Sequence, residues 1–265
     1  MDEPAFDVEG LFDEDYLYFY ESVLSDERSD AEAELIWRLL DLQPGMRVLD
    51  LACGHGRIAN RLAERGCRVT GLDATPLFLD RARRDAERRG VTVDYVAGDM
   101  RALPWTGHFD RVVNWFTAYG YFDDAGNRQV LAAIAEALVP SGIVAFDLMH
   151  HDWLIREFQP DRVAAERDGD LMIDRTRLDP LSGRAYTERL VLRGGRTRRV
   201  RFFVRLFTFT ELRDWLIAAG FTAVHGHGDD GGPLTPASRR LIVRASAPLA
   251  PHPPRSTAPP PPANP

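Results

Sequence analysis

The sequence predicts an α/β protein in which a doubly wound, mostly parallel sheet carries an N-terminal helical cap and an antiparallel β insertion after the fifth strand. Two observations carry this prediction. Between residues 30 and 150, short apolar runs alternate with segments of helical periodicity. After residue 150 the pattern changes to strand-like runs separated by glycine and proline turns, which indicates an antiparallel insertion.

The first predicted strand ends in a glycine-rich turn within residues 48–57, which read VLDLACGHGR. Ala52, Gly54 and Gly56 remove side-chain bulk there, so backbone can approach a ligand closely. Helical spacing resumes at Ile58, which places the turn at a helix N-terminus, a position that favours nucleotide-type ligands.

The spacing of Gly54, Gly56 and Ala59 also fits the dinucleotide fingerprint, and Asp73 follows at about the distance of a ribose-binding carboxylate. Asp50 favours a different ligand, because a carboxylate at the strand end would repel a pyrophosphate. S-adenosylmethionine (SAM) carries an ammonium and a sulfonium instead and suits this position. The alternative is a tight strand-to-helix turn without a ligand.

The run Asp50-Leu-Ala-Cys-Gly-His-Gly resembles the first motif of class I SAM-dependent methyltransferases of the small-molecule type. Ala52 stands where many members have glycine, a change expected to be mild because it adds one methyl group. The resemblance covers residues 30–150 and, more weakly, 208–246. It implies a Rossmann-like sheet of seven strands whose last strand is antiparallel, with SAM as the cofactor.

The resemblance also implies roles for individual residues. Asp50 and the turn would hold the methionine end of SAM, Asp73 the ribose hydroxyls, and Asp99 with Met100 the adenine. The complete predicted cofactor set is Asp50, Ala52, Gly54, Gly56, Asp73, Ala74, Asp99, Met100, Asn114 and Phe116.

The elements follow from apolar spacing and turn residues. An aromatic stripe predicts a helix over residues 13–24, and Ser29 or Asp30 is expected to cap the next helix. Strands are predicted at residues 46–51, 68–72, 91–97, 109–116 and 143–148, with helices at 58–65, 75–89 and 124–139 between them. A helix at 210–219 and strands at 221–225 and 241–245 close the fold.

These elements divide the chain into five predicted parts. They are the helical cap (1–29), the cofactor-binding core (30–150), a substrate-lid insertion (151–207), the C-terminal part of the core (208–247) and a disordered Pro-rich tail (248–265). Within the insertion, Arg199, Arg201 and Arg205 alternate with apolar residues, so they are expected to form one solvated face of a sheet.

Composition limits the chemistry. All 33 basic residues are arginine, which excludes mechanisms that need a lysine amine, and the net charge of −7 disfavours nucleic acid as a partner. Cys53 and Cys67 are predicted to be reduced packing residues, and no metal site is expected. No apolar run spans a bilayer and no signal peptide is evident, so the predicted location is the cytoplasm. A homo-oligomer is compatible with the sequence.

Two groups of residues are candidates for the acceptor side of the site. His150 and His151 follow the fifth strand at its carboxyl end, where open α/β sheets bind ligands, and are candidate proton acceptors. Tyr16, Tyr20, Phe116 and Tyr119 are predicted to wall the acceptor pocket together with the insertion.

The predicted function is SAM-dependent methyl transfer to N, O or C of a small-molecule acceptor, in biosynthesis. Three alternatives remain from the sequence. They are an NAD(P)-dependent oxidoreductase, a cofactor-binding protein without catalysis, and an RNA methyltransferase.

Overall fold

The computed structural model describes residues 7–249, so the predicted tail lies outside the described residues from position 250 onward. The helices are α1 (Val8–Leu11), α2 (Glu14–Tyr20), α3 (Asp26–Leu39), α4 (Arg57–Glu64), α5 (Pro76–Arg89), α6 (Asp124–Ala137), α7 (His151–Arg156) and α8 (Phe209–Ala218). The first five strands are β1 (Arg47–Leu51), β2 (Arg68–Asp73), β3 (Asp94–Ala97), β4 (Phe109–Asn114) and β5 (Leu138–Met149). The others are β6 (Asp161–Arg167), β7 (Asp170–Asp179), β8 (Arg184–Arg193), β9 (Arg196–Arg205), β10 (Thr222–His227) and β11 (Arg240–Ser246).

The main sheet has seven strands in the order β10-β11-β5-β4-β1-β2-β3. Strands β1 to β5 are parallel, and β11 runs antiparallel to both β5 and β10. The strand order changes direction at β1, which has β2 on one side and β4 on the other. The carboxyl ends of β1 and β4 therefore flank the crevice where open sheets of this kind bind ligands.

Helices cover both faces of this sheet, so its central strands are buried on both sides. Val48 of β1 packs with α3, α4 and α5, whereas its neighbours Leu49 and Leu51 pack with α6 and α8 on the opposite face. Side chains alternate along a strand, so Asp50 lies on the same face as Val48, toward α3 and α4. The Asp50 carboxylate therefore faces the charged residues of α3 and α4.

Strands β6 to β9 form a separate four-stranded antiparallel sheet, which confirms the predicted insertion after the fifth strand. We use the name lid for residues 161–205, which make up this sheet, and the name cap for residues 7–24, which contain α1 and α2. The cap packs against the lid: Phe19 is buried with Met172 and Val191, and Leu11 with three residues of β9.

Several predicted details were wrong. Helix α2 ends at Tyr20, and α3 begins at Asp26, because the hydroxyl of Ser25 accepts the N–H of Arg28 as its cap. Ser29, one of the two expected cap residues, is buried inside α3 instead. Arg199 and Arg201 are exposed as predicted, but Arg205 is not, since its guanidinium binds Glu211 of α8.

Candidate cofactor and acceptor site

The glycine turn has left-handed backbone at three positions: Ala52 (φ 59°), Gly54 (φ 56°) and Gly56 (φ 80°). Glycine adopts this conformation freely, whereas an alanine in it is strained by about 1–2 kcal/mol. The expectation that Ala52 is a mild replacement for glycine considered only the volume of its methyl group. Its backbone conformation makes it a strained position.

The two glycines serve different purposes. A Cβ atom on Gly56 would collide with the hydroxyl of Tyr95 and with Ala82, so this glycine allows α4 to pack against β3 and α5. The Tyr95 hydroxyl in turn donates to Asn60 Oδ1 (2.7 Å). At Gly54 the nearest atom to such a Cβ belongs to Phe78 at 3.8 Å, which leaves room beside the turn for a ligand.

Asp73, at the carboxyl end of β2, holds the turn in place. Its Oδ2 accepts the N–H of Gly54 (2.8 Å) and its Oδ1 accepts the N–H of Thr75 (2.9 Å). Burial raises the pKa of Asp73, although both of these bonds favour its ionised form. Each carboxylate oxygen can accept a further bond, so this structural role leaves capacity for ligand hydroxyls.

Asp50 and Arg57 are the two charged groups buried at the turn with unused hydrogen-bonding atoms. Asp50 is 2% exposed, and within residues 7–249 its Oδ2 has no partner. Burial raises the pKa of Asp50 to about 7, against the opposing effect of the Arg57 charge. Arg57 is 7% exposed; its Nη2 binds Glu32 (2.6 Å), but its Nη1 has no partner in the same part of the chain.

Arg57 was not among the predicted site residues, although it ends the quoted motif. Glu32 on α3 orients it, and Glu32 also accepts from Arg28 (2.8 Å) and from the indole of Trp115 (3.1 Å). Burial alone would raise the pKa of Glu32, but the charges and bonds of Arg57 and Arg28 outweigh it and lower that pKa. Glu32 is therefore a carboxylate that holds Arg57 in the turn.

A cavity of about 580 Å³ opens beside the turn and is lined by His55, Arg57, Tyr16 and Tyr20, among others. Burial, reinforced by the nearby Arg57 charge, lowers the pKa of His55 to about 4. His55 is thus a neutral imidazole near pH 7. The cavity gives solvent a path to the turn between the cap, α4 and α5.

The loop after β4 is clamped in an unusual conformation. Phe116 and Thr117 both have left-handed backbone, with φ of 61° and 59°. The carboxylate of Asp147 accepts the Phe116 N–H (3.0 Å) and two bonds from Arg240 (2.7 and 2.6 Å), while Arg240 also donates to the Thr117 hydroxyl (2.9 Å). This buried ion pair holds a strained loop at the crevice, which is typical of functional sites.

The remaining predicted cofactor residues lie along the same edge. Asn114 is fully buried, donates to the carbonyl of Leu51 (3.0 Å) and keeps an unpaired Oδ1 among the described residues. Ala74 is exposed and Met100 is partly buried against the core. Asp99 is paired with Arg101 (2.6 Å), so a ligand there would share or displace this guanidinium.

Tyr16 and Tyr20 belong to α2 of the cap and face Phe78 and Phe116 of the core, and their role as walls of an acceptor pocket stays a prediction. Their rings stack at 4.3 Å, Tyr16 contacts Phe78 at 5.5 Å, and Tyr20 meets the edge of Phe116 at 6.2 Å. The stack occupies one face of each ring, and the contacts of the pair with the core are ring to ring.

The prediction for Tyr119 as a pocket wall was wrong. Its side chain is 1% exposed, its ring packs on Phe146 and Phe207, and its hydroxyl donates to the carbonyl of Asn127 (3.0 Å). Tyr119 follows the strained loop, whose backbone turns the side chain into the core between β5 and α8. It is a core residue with a satisfied hydroxyl.

His150 and His151 follow β5 as predicted, but their contacts are with neighbouring loops. His150 is buried and its Nδ1 lies 2.7 Å from the carbonyl of Ser238, so Nδ1 carries the proton and Nε2 can accept one. His151 is half-exposed and its Nδ1 lies 2.8 Å from Asp152. Catalytic roles for these histidines stay predictions.

Cys53 and Cys67 are free and buried. Within residues 7–249 no three His, Cys, Asp or Glu side chains are grouped to hold a metal ion. The same residues include no helix that is both long and apolar enough to cross a lipid bilayer.

Comparison with known proteins identifies the core. Residues 48–142 match the family described as "Methyltransferase domain". These residues form a class I methyltransferase domain. The match confirms the predicted family for these residues.

Individual relatives agree with this assignment. The chain is 39% identical over 118 residues to a demethylmenaquinone methyltransferase of Thermus thermophilus. The aligned segment covers 42% of this chain and 52% of that protein. It spans between half and two thirds of the length of the first curated relatives that it matches. Among solved structures, the CcbJ methyltransferase of Streptomyces caelestis superposes with a TM-score of 0.72 at 21% identity, covering 84% of this chain and 92% of that one.

A second solved structure extends the likeness to nearly the whole chain. SAM-bound CalS10, an amino pentose methyltransferase from Micromonospora echinaspora, has a TM-score of 0.65 at 23% identity and covers 90% of this chain and 98% of that one. At these identities the likeness shows the fold, and it confirms the predicted fold class.

Proposed function

We propose that this protein binds SAM at the glycine turn and transfers its methyl group to an N, O or C atom of a small-molecule acceptor. One observation carries the proposal: the turn holds a buried carboxylate oxygen of Asp50 and a buried guanidinium nitrogen of Arg57, both unpaired within the described residues. The methionine end of SAM carries an ammonium and a carboxylate. It would supply the missing partner to each group.

The opposite charges of these two groups also weigh against the oxidoreductase alternative. A nicotinamide dinucleotide would bring a doubly charged pyrophosphate to the turn, where the buried carboxylate of Asp50 repels it. A zwitterionic amino-acid group is attracted by both residues. The geometry of the turn therefore favours SAM among ligands that contain adenosine.

The rest of the cofactor would extend along the strand ends. Asp73 would accept the ribose hydroxyls on its remaining lone pairs, and Asp99 with Met100 would contact the adenine, with Arg101 giving way at Asp99. Asn114 has an unpaired buried Oδ1, which can accept one further bond from the ligand. These assignments use groups whose bonding capacity is incomplete.

The reaction is a displacement in line with the breaking bond. A lone pair of the acceptor forms a bond to the methyl carbon while the carbon–sulfur bond breaks and its electron pair stays on sulfur. Little covalent help is needed from the protein, so positioning and exclusion of water supply most of the acceleration, up to about 7–11 kcal/mol. The cap and the lid would provide this enclosure.

A base is needed only when the acceptor must lose a proton. His150 is a candidate, because its Nε2 can accept a proton while Nδ1 is held by Ser238. Replacing His150 with Ala should then lower turnover and leave SAM affinity unchanged. Replacing the half-exposed His151 in the same way tests the second candidate, and full activity of both variants across pH would remove this pair from the mechanism.

Calorimetric titration with SAM, S-adenosylhomocysteine, NAD and NADP tests the cofactor, and transfer of a labelled methyl group to an acceptor tests the reaction. Binding of SAM in preference to the nicotinamide cofactors is the expected result. The reverse preference would support an oxidoreductase, and tight SAM binding with no turnover on any acceptor would indicate a binding protein. The net charge of −7 makes an RNA acceptor the less favoured alternative, which labelled transfer to RNA would reveal.

A further inference from the structure

The inner face of the lid, which packs against the cap, carries a polar strip in an apolar surface. In the register of β7 and β8, Asp174 lies opposite Arg189, and Thr176 lies opposite Thr187 on the same face. The buried apolar members of this face are Met172, Ala185, Val191, Val200, Phe202 and Val204. The four polar residues of β7 and β8 therefore interrupt a mostly apolar surface.

Asp174 and Arg189 form a buried ion pair. Arg189 donates from Nε to Asp174 Oδ1 (2.7 Å) and from Nη2 to Oδ2 (2.9 Å). The side chain of Arg189 is 8% exposed and that of Asp174 is 3% exposed. Arg162 approaches the same carboxylate at 3.5 Å. A buried pair is often no more stabilising than well-packed apolar residues of similar volume, so stability alone does not account for it.

The pair lies close to the proposed methyl-transfer site. The Arg189 guanidinium is 6.0 Å from the ring centre of Tyr20 and 5.2 Å from that of Phe202. Tyr20 in turn meets the edge of Phe116, which belongs to the strained loop at the crevice. One aromatic ring thus separates the ion pair from that loop.

The polar strip keeps hydrogen-bonding capacity that the described residues do not use. Arg189 Nη1 makes no hydrogen bond to any residue from 7 to 249, and Asp174 retains lone pairs on both oxygens. The hydroxyls of Thr176 and Thr187 bond to each other (3.0 Å), which leaves one O–H donor. The Asp174–Arg189 pair therefore offers both donors and acceptors, and the more exposed Arg162 adds a positive charge beside it.

We propose that Arg189 and Asp174 determine acceptor specificity by binding ligand hydroxyl groups, and that the acceptor is a hydroxyl-rich ring. A hydroxyl both donates and accepts, which matches a guanidinium–carboxylate pair, and the outer faces of the stacked Tyr16 and Tyr20 rings would pack against the apolar side of such a ring. This inference rests on the proposed methyltransferase function and names the class of its acceptor.

Two matched probes test it: D-glucosamine, and cyclohexylamine, which has a ring of the same size and an ammonium but no hydroxyls. Each is titrated by NMR into the full-length protein loaded with S-adenosylhomocysteine. We expect the wild type to bind glucosamine at least tenfold more tightly. In the double variant Arg189→Met, Asp174→Val, the preference should fall to within twofold while S-adenosylhomocysteine affinity is unchanged.

A second double variant, Arg189→Leu with Asp174→Leu, also removes the donors and acceptors and is used if the first does not fold. The matched control is Arg201→Gln with Glu188→Gln, a cross-strand pair between β8 and β9 joined at 2.8 Å on the outer face of the same sheet. The control should keep the full preference for glucosamine.

Equal binding of both probes, no saturable binding of glucosamine, or a preference that persists in the inner-face variants would each overturn the inference. Failure of the wild type to bind S-adenosylhomocysteine would instead overturn the proposed function, so the two failures are distinguishable.

Discussion

The glycine turn and the junction between cap and lid differ in how their polar groups are paired. At the turn, residues that are close in sequence build a site and leave buried polar atoms of Asp50 and Arg57 unpaired among the described residues. At the junction, charges far apart in sequence pair with one another: Asp15 of the cap binds Arg193 and Arg198 of the lid, at separations of 178 and 183 residues. The first region keeps bonding capacity that we expect a ligand to fill, whereas these ion pairs of the second region satisfy one another.

The cap is attached differently on its two sides. Toward the lid it uses charge, since Glu21 also binds Arg167 (2.6 Å) and the ring of Tyr18 lies between Arg167 and Arg193. Toward the core it packs aromatic rings against Phe78 and Phe116, with one exposed ion pair of Glu21 with Arg81 at 4.0 Å. Ring contacts are less directional than ion pairs, so we expect the cap to move with the lid when the site opens.

The largest expected effect is a loss of SAM affinity when Arg57 is replaced. Arg57→Met should weaken SAM binding by about 3 kcal/mol, more than a hundredfold, because the ligand carboxylate would lose a desolvated charged partner. Arg61→Met is the matched control, since Arg61 lies one turn along α4 and is occupied by Asp26 and Asp30. Calorimetry should show normal SAM affinity for this control at a lowered Tm, and equal loss in both variants would contradict the assignment.

Asp73→Asn should affect both binding and folding. The ribose loses a charged acceptor and either Gly54 or Thr75 loses its partner, so SAM affinity should fall ten- to hundredfold, about 1.5–3 kcal/mol, together with the Tm. Asp99→Asn is the matched control, because Asp99 is more exposed and its amide oxygen can still accept the N–H of Arg101, so the Tm should fall less than in Asp73→Asn. An Asp73 variant that melts earlier but binds SAM normally would show that this residue only holds the turn.

The buried carboxylate of Asp50 makes binding depend on pH. Its folded pKa is raised to about 7 from 3.8, so its protonated form stabilises the empty protein at low pH, and that contribution is lost as pH rises from about 4 to 7. The SAM ammonium needs the ionised form, so the Kd should fall about tenfold between pH 6 and pH 8. His55, with a pKa of about 4, does not titrate in this window.

Asp50→Asn should remove this pH dependence as well as part of the affinity. Arg57 and Asp73 are the charged groups that act on Asp50, and Arg57 stays charged throughout the range. Calorimetric titrations at several pH values measure both effects. A Kd for the wild type that stays constant from pH 6 to pH 8 would contradict the pKa of Asp50.

The ion pairs between the cap and the lid can be weakened by replacing Asp15. Asp15→Asn should destabilise the cap by about 1 kcal/mol, since it loses two partly exposed ion pairs, and the same loss should follow from high salt. Hydrogen exchange should rise in α2 and at the facing ends of β8 and β9, with no change in α4. Unchanged exchange in α2 would show that these ion pairs do not hold the cap on the lid.

The smallest effect is expected at Ala52. Glycine at this left-handed position should relieve strain and raise stability by about 1 kcal/mol, or 2–4 °C in Tm. A lower Tm for Ala52→Gly would mean that the methyl group packs usefully in the turn.

The turn was predictable because its residues are consecutive and its glycines mark backbone that other residues adopt with strain. Residues whose role depends on a partner distant in sequence could not be predicted. The unpaired nitrogen of Arg57 depends on Glu32 of α3, and the pairing of Asp174 with Arg189 depends on the register of two strands. Tyr119 was misplaced because two left-handed residues before it redirect the chain, and the apolar pattern carries no sign of them.

The ion pairs between cap and lid also bear on how new acceptor ranges can arise by recombination. A graft that brings only residues 161–205 from a relative would leave Asp15 and Glu21 facing foreign partners, while Arg193 and Arg198 would be lost. Exchange of acceptor preference between relatives therefore requires two pieces of chain, 7–24 and 161–205, to be transplanted together. The host must also keep Asp124 and Glu211, which pair with Arg184 and Arg205 of the lid.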